Sequence, residues 1–534
     1  MNRTIILCIG LAWQLSLLAQ STFEKYYKGV GPSSYSLALS VLPSGNLFTG
    51  IASASGISIL DHEGQVIHQQ CYRVFPFLVL QSARISMNND IFFVGAYYFD
   101  SCDTCSAPAV EKPVIGEMDT LGNIILAQYY DLNAGNTFSI AADLVIAHDN
   151  GIITWGRDDS FFILKADSNL NHIWSKQFAD QHHGDFQFIK ELPGGDLLAG
   201  INMDTAGAVV ARLDANGNFL WCKSYIRPKG RVHDVVIESD SSFIITGFTE
   251  YSDQHMFLPL PSDFHPKLYM MKLDGEGEVQ WCKGYDSAPD LWYTAQWSKI
   301  EKAQDGNYVV LATLGRPQNN FFHRPFLMKT NPNGDTLWTR SKGVAGQDYF
   351  TRDLLLSSDG GILFSGAAWG NVPGGQNGIS YIFKTDSLGH FDCHELHYPI
   401  ETSDLFPVDS SFTLTSVDGA TAYPAYVQDT VYDGLQVYNA CTLTGIQHLY
   451  NMGKAKPRIR PNPNTGHFTV EFTDPLAADS FYSVYDAVGK LLFQRPLAKG
   501  TESEEIDLSR FGAGTYLVRI TSRDGVCNER VVVQ

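Results

Sequence analysis

The chain is short of positive charge. It carries 38 lysines and arginines against 57 acidic residues, a formal charge of −19 over 534 residues. Gripping a phosphate backbone needs a basic face, so nucleic acid is excluded as a partner. Long hydrophobic runs are missing beyond the N-terminus, so no transmembrane segment is expected in the mature chain. Catalytic signatures are missing as well. There is no Gly-x-Ser-x-Gly elbow, no His-Glu-x-x-His and no phosphate-cradling glycine loop. No cofactor is expected, and the balance lies against an enzyme without closing that question.

What the chain has is a repeat. Asp-x-x-Gly before an apolar run occurs at Asp61–Gly64, Asp119–Gly122, Asp214–Gly217, Asp274–Gly277 and Asp386–Gly389. Another copy runs from Asn331 to Gly334, and a seventh starts at Asp167 with Leu170 in the glycine slot. Tryptophan follows at a fixed offset in four copies, as Trp174, Trp221, Trp281 and Trp338. Copies recur roughly every 47 to 60 residues, near the periods of propellers and arrays. A second turn cluster precedes each copy, such as Pro193-Gly194-Gly195-Asp196 or Gln304-Asp305-Gly306-Asn307. The apolar runs between are too short for helices and rich in strand formers. One unit reads as four antiparallel strands, a to d. Seven units predict an all-β chain, a seven-bladed β-propeller over residues 20–398. In an up-and-down sheet the Asp-Gly turns fall on one face and the b–c and d–a loops on the other. The long loops, 97–112, 250–267, 314–325 and 368–380, belong to the second set, where binding is expected.

The turns admit a sharper reading. Asp-x-Asn-Gly-Asn resembles part of a calcium loop, but the EF-hand pattern places glycine sixth and here it is fourth. A plain side-chain-assisted hairpin accounts for it. His182 and His183 with Asp185 are weak candidates for a metal, since imidazole and carboxylate suit zinc; solvated loop histidines are the simpler reading. The tryptophans read as inter-blade packing.

Residues 1–19 read as a signal peptide, with Arg3 as the charged region, Ile5 to Leu18 mostly apolar, and Ala19 at the cleavage point. Eight cysteines then remain for an oxidising compartment. Cys102 and Cys105 suggest a small loop staple, and Cys393 with Cys441 could close the stretch after the last repeat. Cys222 and Cys282 both follow a repeat tryptophan. They should lie too far apart to bond each other. Ring closure has two candidates: Phe23–Gly29 as a strand d joining the chain ends, or His390–His397.

Residues 399–456 lose the repeat and read as a linker or extra edge strands. A new unit of short strands then spans 457–534, an expected small Ig-like β-sandwich. It opens with Pro461, Asn462, Pro463, Thr465 and Gly466. Asp486, Gly489 and Lys490 follow, then Asp507 and Leu508, then Gly512, Gly514 and Tyr516. In this order the motifs resemble the type A sorting domain of the type IX secretion system. The resemblance implies export through the periplasm and across the outer membrane of a Gram-negative cell. It further implies recognition by the secretion and sorting machinery, then release or attachment at the cell surface. Arg530 and Gln534 stand in place of the family's lysine-rich ending. The repeats resemble those of secreted β-propeller proteins and, faintly, the tryptophan-docking repeats of quinone-dependent dehydrogenases. No adjacent-cysteine pair accompanies them, and that activity is not carried over.

Three functions fit. The first is a binding module taking a glycan or surface protein on its loop face. The second is a hydrolase or lyase with its site at the propeller channel. The third is a structural or adhesive surface component.

Overall fold

A computed structural model describes residues 22–28, 36–440 and 457–534. Excepted are positions 43, 52–55, 75–77, 87, 100–109, 133–139, 158–160, 179–183, 205, 226–229, 251–265, 288–291, 316–322, 345, 374–377, 412, 426–427, 432–435, 473–474, 477–479, 487–490 and 523–524. The chain divides into two compact units, Met1–Cys441 and Thr442–Gln534. No helix among the described residues is long and apolar enough to cross a membrane.

The first unit holds seven antiparallel sheets. Their first strands are Ser36–Val41, Leu78–Ile85, Ile140–Ile146, Gly184–Glu191, Arg231–Ser239, Trp292–Lys302 and Gln347–Leu356. Each first strand packs on the first strand of the next sheet, and the seventh packs on the first, so the sheets form a closed, propeller-like ring. The core is correspondingly divided into seven clusters, each between two neighbours. Phe161 and Phe178 of sheet 3 pack on Phe186 and Val209 of sheet 4; Phe23 and Tyr27 of sheet 7 pack on Leu39 and Leu47 of sheet 1. A strand exposes two faces to two neighbouring sheets, which is why these strands are apolar at nearly every position instead of alternating. Each fully buried phenylalanine contributes about 2–3 kcal/mol of transfer free energy.

The seventh sheet completes its set with Phe23–Lys28, which pairs antiparallel with Ile379–Thr385. This N-terminal strand closes the ring. The other candidate, within 390–397, contributes only Glu395–Leu396, and that pairs with Thr336–Lys342 of sheet 6.

Each sheet has five strands where the repeat predicts four. The fifth comes from outside the repeat. Glu395–Leu396, Glu401–Asp404, Ser410–Ser411, Ser416–Asp418, Ala420–Pro424, Gln428–Val431 and Gln436–Asn439 add in turn to sheets 6, 5, 4, 3, 2, 1 and 7. One segment thus passes once round the ring as a belt, pairing antiparallel with every outer strand. An outer strand left bare presents unpaired N–H and C=O groups to any other chain; the belt satisfies them. The repeat could not announce this, because the belt lies outside it.

Neighbouring sheets are also locked at their rims. The Gly277 turn of sheet 5 has φ +76°, and a Cβ there would stand 2.9 Å from Trp221 of sheet 4. Trp221 donates its indole N–H to the Gly275 carbonyl at 2.9 Å, and Tyr225 donates its hydroxyl to the Gly277 carbonyl at 2.6 Å. The tyrosine contact recurs as Tyr27 to Gly64, Tyr72 to Gly122, Tyr130 to Leu170 and Tyr285 to Gly334. Leu170 holds φ +64°, the left-handed conformation that the glycines adopt elsewhere. The degenerate copy therefore keeps its dock.

The second unit, taken by itself, has two sheets. One orders Pro457–Arg460, His467–Phe472 and Ser503–Asp507; the other orders Leu491–Leu497, Ser480–Tyr485, Gly514–Ser522 and Gly525–Val533. Phe468, Val470, Ile506, Val484, Val518 and Val531 share one core between them. A 3-10 turn covers Ser509–Phe511.

Candidate functional site at the ring axis

The seven first strands share a defect. Each carries a β-bulge, shifting register at Ser36/Ala38, Leu80/Ser82, Ala141/Asp143, Phe186/Phe188, Val232/Asp234, Tyr293/Ser298 and Thr351/Asp353. A bulge re-aims the extra side chain away from the ladder, and on the innermost strand that direction is the ring axis. Sheet 6 is exceptional, with four residues, 294–297, standing where the others have one.

Charges from six sheets converge there. Arg84 of sheet 2 is in electrostatic reach of Asp143, Asp353, Asp234 and Glu301, from sheets 3, 7, 5 and 6. Lys299 of sheet 6 reaches Asp234, Asp353 and Asp143, and Lys190 of sheet 4 reaches Glu301. Groups on opposite sides of a ring couple in this way only when they crowd its axis.

The three aspartates occupy the position after the bulge, and each grips a neighbouring sheet. Asp143 Oδ1 accepts from Ser82 at 2.5 Å and from the Leu144 N–H at 2.8 Å, while Oδ2 takes Arg84 at 3.1 Å. Asp234 accepts the Ile300 N–H of sheet 6 at 3.1 Å. Asp353 accepts the Leu39 N–H of sheet 1 at 2.9 Å and that of Leu354 at 3.1 Å. Burial alone would raise the Asp143 carboxyl; Arg84, Lys299 and the Ser82 hydroxyl overcome that and hold it below the usual carboxylate range. Lys299 is raised, its burial outweighed by the three aspartates. Arg352 is lowered, chiefly by burial. Glu301 is pushed up to about 7, by burial first, against the pull of Lys190 and with the push of Asp234. His233 is driven down to about 3 by burial and stays neutral, its Nδ1 3.3 Å from Ser298 Oγ. Trp297 is 37% exposed, with the Arg352 guanidinium 4.9 Å from its ring centre.

None of these axial residues is among the candidates that the sequence singles out. A signal for the aspartates was present: Asp143-Leu144-Val145, Asp234-Val235-Val236 and Asp353-Leu354-Leu355 all start five residues before a His148, Ser239 or Ser358 turn. Of the predicted metal candidates, His182 and His183 lie outside the described residues, and Asp185 accepts the Gln187 side-chain amide within Gly184–Glu191. Most of the loops 97–112, 250–267 and 314–325 likewise lies outside the described residues, as do 374–377 of the loop 368–380.

The repeat turns act as hairpins. Asp214 Oδ1 accepts the N–H groups of Asn216 and Asn218, both at 2.9 Å, and Oδ2 takes the Asn218 amide at 3.0 Å. Asp61, Asp119, Asp274 and Asp386 repeat the double acceptance, and Gly64, Gly122, Gly217, Gly277, Gly334 and Gly389 all take positive φ. Cys222 and Cys282 are free and buried. Cys393 is disulfide-bonded, while Cys102, Cys105 and Cys441 lie outside the described residues.

In the second unit the predicted motif is tied to the last strand. Asn462 donates to the Arg530 carbonyl at 2.6 Å and accepts the Val532 N–H at 2.9 Å. The Gly466 carbonyl takes the Leu508 N–H at 2.7 Å, and a Cβ on Gly466 would strike Ser509 at 2.7 Å. Asp507 caps the turn through the Ser509 N–H, and Tyr516 donates to the Phe511 and Gly512 carbonyls, each at 2.8 Å. Gly489 and Lys490 lie outside the described residues.

Residues 458–534 match the secretion system C-terminal sorting domain. This is the type IX tail, and it implies export and contact with the secretion machinery. No curated protein matches the chain. Among solved structures, a catalytically inactive virginiamycin B lyase from Staphylococcus aureus with quinupristin is similar at 9% identity and TM-score 0.42, covering 68% of this chain and 99% of the lyase. A member of the DUF4221 family from Bacteroides vulgatus is similar at 10% identity and TM-score 0.33, covering 72% and 95%. The WD40 domain of SCAP from fission yeast is similar at 9% identity and TM-score 0.25, covering 66% and 74%. At these scores the likenesses carry no argument about what the ring does.

Proposed function

We propose that this is a secreted or cell-surface binding protein. Its organisation is a signal peptide at 1–19, a seven-bladed β-propeller at 20–398, extra edge strands and a connection at 399–456, and an Ig-like sorting sandwich at 457–534. The sorting-domain match carries the proposal. A chain addressed to the outside, whose body is a closed ring with a polar axis, has the form of a rigid scaffold that presents a site. Within the tail, the exposed motif residues Pro461, Asn462, Pro463, Thr465, Asp507, Gly512 and Gly514 form the surface that the sorting machinery reads, and the buried Gly466, Leu508 and Tyr516 hold its shape.

Binding is favoured over hydrolysis by the state of the axial acids. A hydrolase built on two carboxylates needs both available to substrate and water. Asp143, Asp234 and Asp353 are engaged by N–H, hydroxyl and guanidinium donors of their own and neighbouring strands. Glu301 alone keeps a carboxyl without a hydrogen-bond partner among the described residues, at about 7. That residue is the specific observation behind a second reading, a lyase using one acid–base group.

Within the same organisation, Cys393 pairs with Cys441. The Ala440 carbonyl, one residue before Cys441 in the chain, stands 3.9 Å from the Cys393 sulfur, which supports this pairing. The belt then closes covalently where it began.

The test is location. Cells expressing the full chain should show it on intact surfaces or in the medium, and cells lacking residues 458–534 should retain it inside. Surface display of the truncated chain would sink the export reading.

A further inference from the structure

We propose that the ring axis binds an acidic ligand, a carboxylate carried on a sugar or aromatic ring, held between the Trp297 indole and the Arg352 and Lys299 cations. This rests on the reading of the body as a binding module and names its ligand class.

The inference begins with partners. Four cations meet at the axis, and two are committed. Arg84 pairs with Asp143 at 3.1 Å, and Lys190 stands 3.8 Å from Asp234. Arg352 and Lys299 are different. Among the described residues neither side chain has a hydrogen bond or an ion pair; Arg352 touches only the Trp297 ring, and Lys299 meets its neighbours solely through space. The nearest acids cannot serve them fully, because Asp353 is held by the Leu39 and Leu354 N–H groups and Asp234 by the Ile300 N–H. Arg352, whose burial outweighs the pull of Asp353 and Asp143, is a cation with no acceptor among the described residues and is costly to keep for structure alone.

The geometry then selects the chemistry. A guanidinium lying against an indole face keeps its in-plane N–H fork open, and that fork matches the two oxygens of a carboxylate. Lys299 stands two residues beyond Trp297 on the same strand, past the buried Ser298, and places a second cation close along the chain to the indole. Trp297 sits in the one enlarged bulge, in sheet 6, and keeps open aromatic surface for a ring to cover.

Calorimetric titration of the full chain with three probes tests this. The probes are trigalacturonate, 4-hydroxybenzoate and neutral cellotriose. At least one of the two acids should bind, the first marking a sugar acid and the second an aromatic acid. Cellotriose should bind roughly tenfold more weakly or worse. Arg352→Gln and Trp297→Leu should each weaken the acid by roughly tenfold, with Arg352→Lys in between because it keeps the charge and loses the fork. Unchanged thermal unfolding of each variant excludes a folding defect. Cellotriose binding that is indifferent to Arg352→Gln would overturn the acidic ligand and leave a binding module standing. Equal affinity of the Arg352→Gln variant for the acids, or binding of neither acid, would overturn the proposal. A truncated chain that still reaches the surface would instead overturn the export reading alone.

Discussion

Lys342 and Glu24 form a fully buried ion pair across the seam where the N-terminal strand closes the ring. Lys342 takes the place on its outer strand that tyrosine holds on five others, four residues beyond Trp338 as Tyr225 is beyond Trp221. Its ammonium also donates to the Cys393 carbonyl at 2.9 Å, and Glu24 accepts the Asp392 N–H at 2.8 Å. Burial raises the Glu24 carboxyl, and the adjacent Lys342 works against that rise. The pair joins strand Phe23–Lys28, sheet 6 and the start of the belt.

Breaking that pair should be expensive. Lys342→Met leaves a buried carboxylate without its cation and should cost roughly 3–5 kcal/mol in urea unfolding. The double variant Lys342→Met with Glu24→Met should recover most of the loss, because apolar groups of similar size replace both charges. A single variant as stable as the parent would mean that the seam is held by packing alone.

Glu301 gives the stability a pH dependence of known sign. Its ordinary value is 4.5 and the fold raises it to about 7, with Lys190, Lys299, Asp234 and Asp353 around it. Below about 4.5 both folded and unfolded chains carry the proton, and the group contributes nothing. Between 4.5 and about 7 the unfolded chain ionises first, so stability falls as pH rises; above 7 the full penalty applies. Glu301→Gln should therefore gain roughly 1–3 kcal/mol at pH 8 and little at pH 4. Equal differences at both values would remove Glu301 as the source.

The rim docks should be separable by chemistry. Tyr225→Phe removes only the hydroxyl on the Gly277 carbonyl and should cost about 1 kcal/mol. Gly277→Ala in the same dock forces a side chain into φ +76° and places a Cβ 2.9 Å from Trp221, so roughly 1–3 kcal/mol is expected. Chemical denaturation of the two variants checks the order; a larger cost for the tyrosine would mean that the hydroxyl, not the close approach, sets the dock.

The proposed pairing of Cys393 with Cys441 predicts a single linked peptide spanning those positions in non-reducing mass spectrometry. Cys393→Ser should lower stability by roughly 2–4 kcal/mol, the entropy regained by an unfolded chain no longer closed into a loop. Linkage of Cys393 to any other cysteine would reassign the bond.

Much of the architecture is local, and local physics is legible in order. Asp214 bonding two N–H groups within four residues, Gly217 at positive φ and Trp221 at a fixed offset are short-range demands, so the repeat, its strands and the tail motif could be read along the chain. Extra edge strands after the repeat could be read, but their course round all seven sheets, the buried Lys342–Glu24 pair and the axial meeting of Arg84, Asp143, Lys299 and Arg352 could not. Their partners lie tens to hundreds of residues apart, and each strand shows only an ordinary charge among apolar neighbours. Turn chemistry was settled by the sequence because neighbours in the chain are neighbours in space. The contents of the axis were settled only when seven separate bulges were brought to face one line.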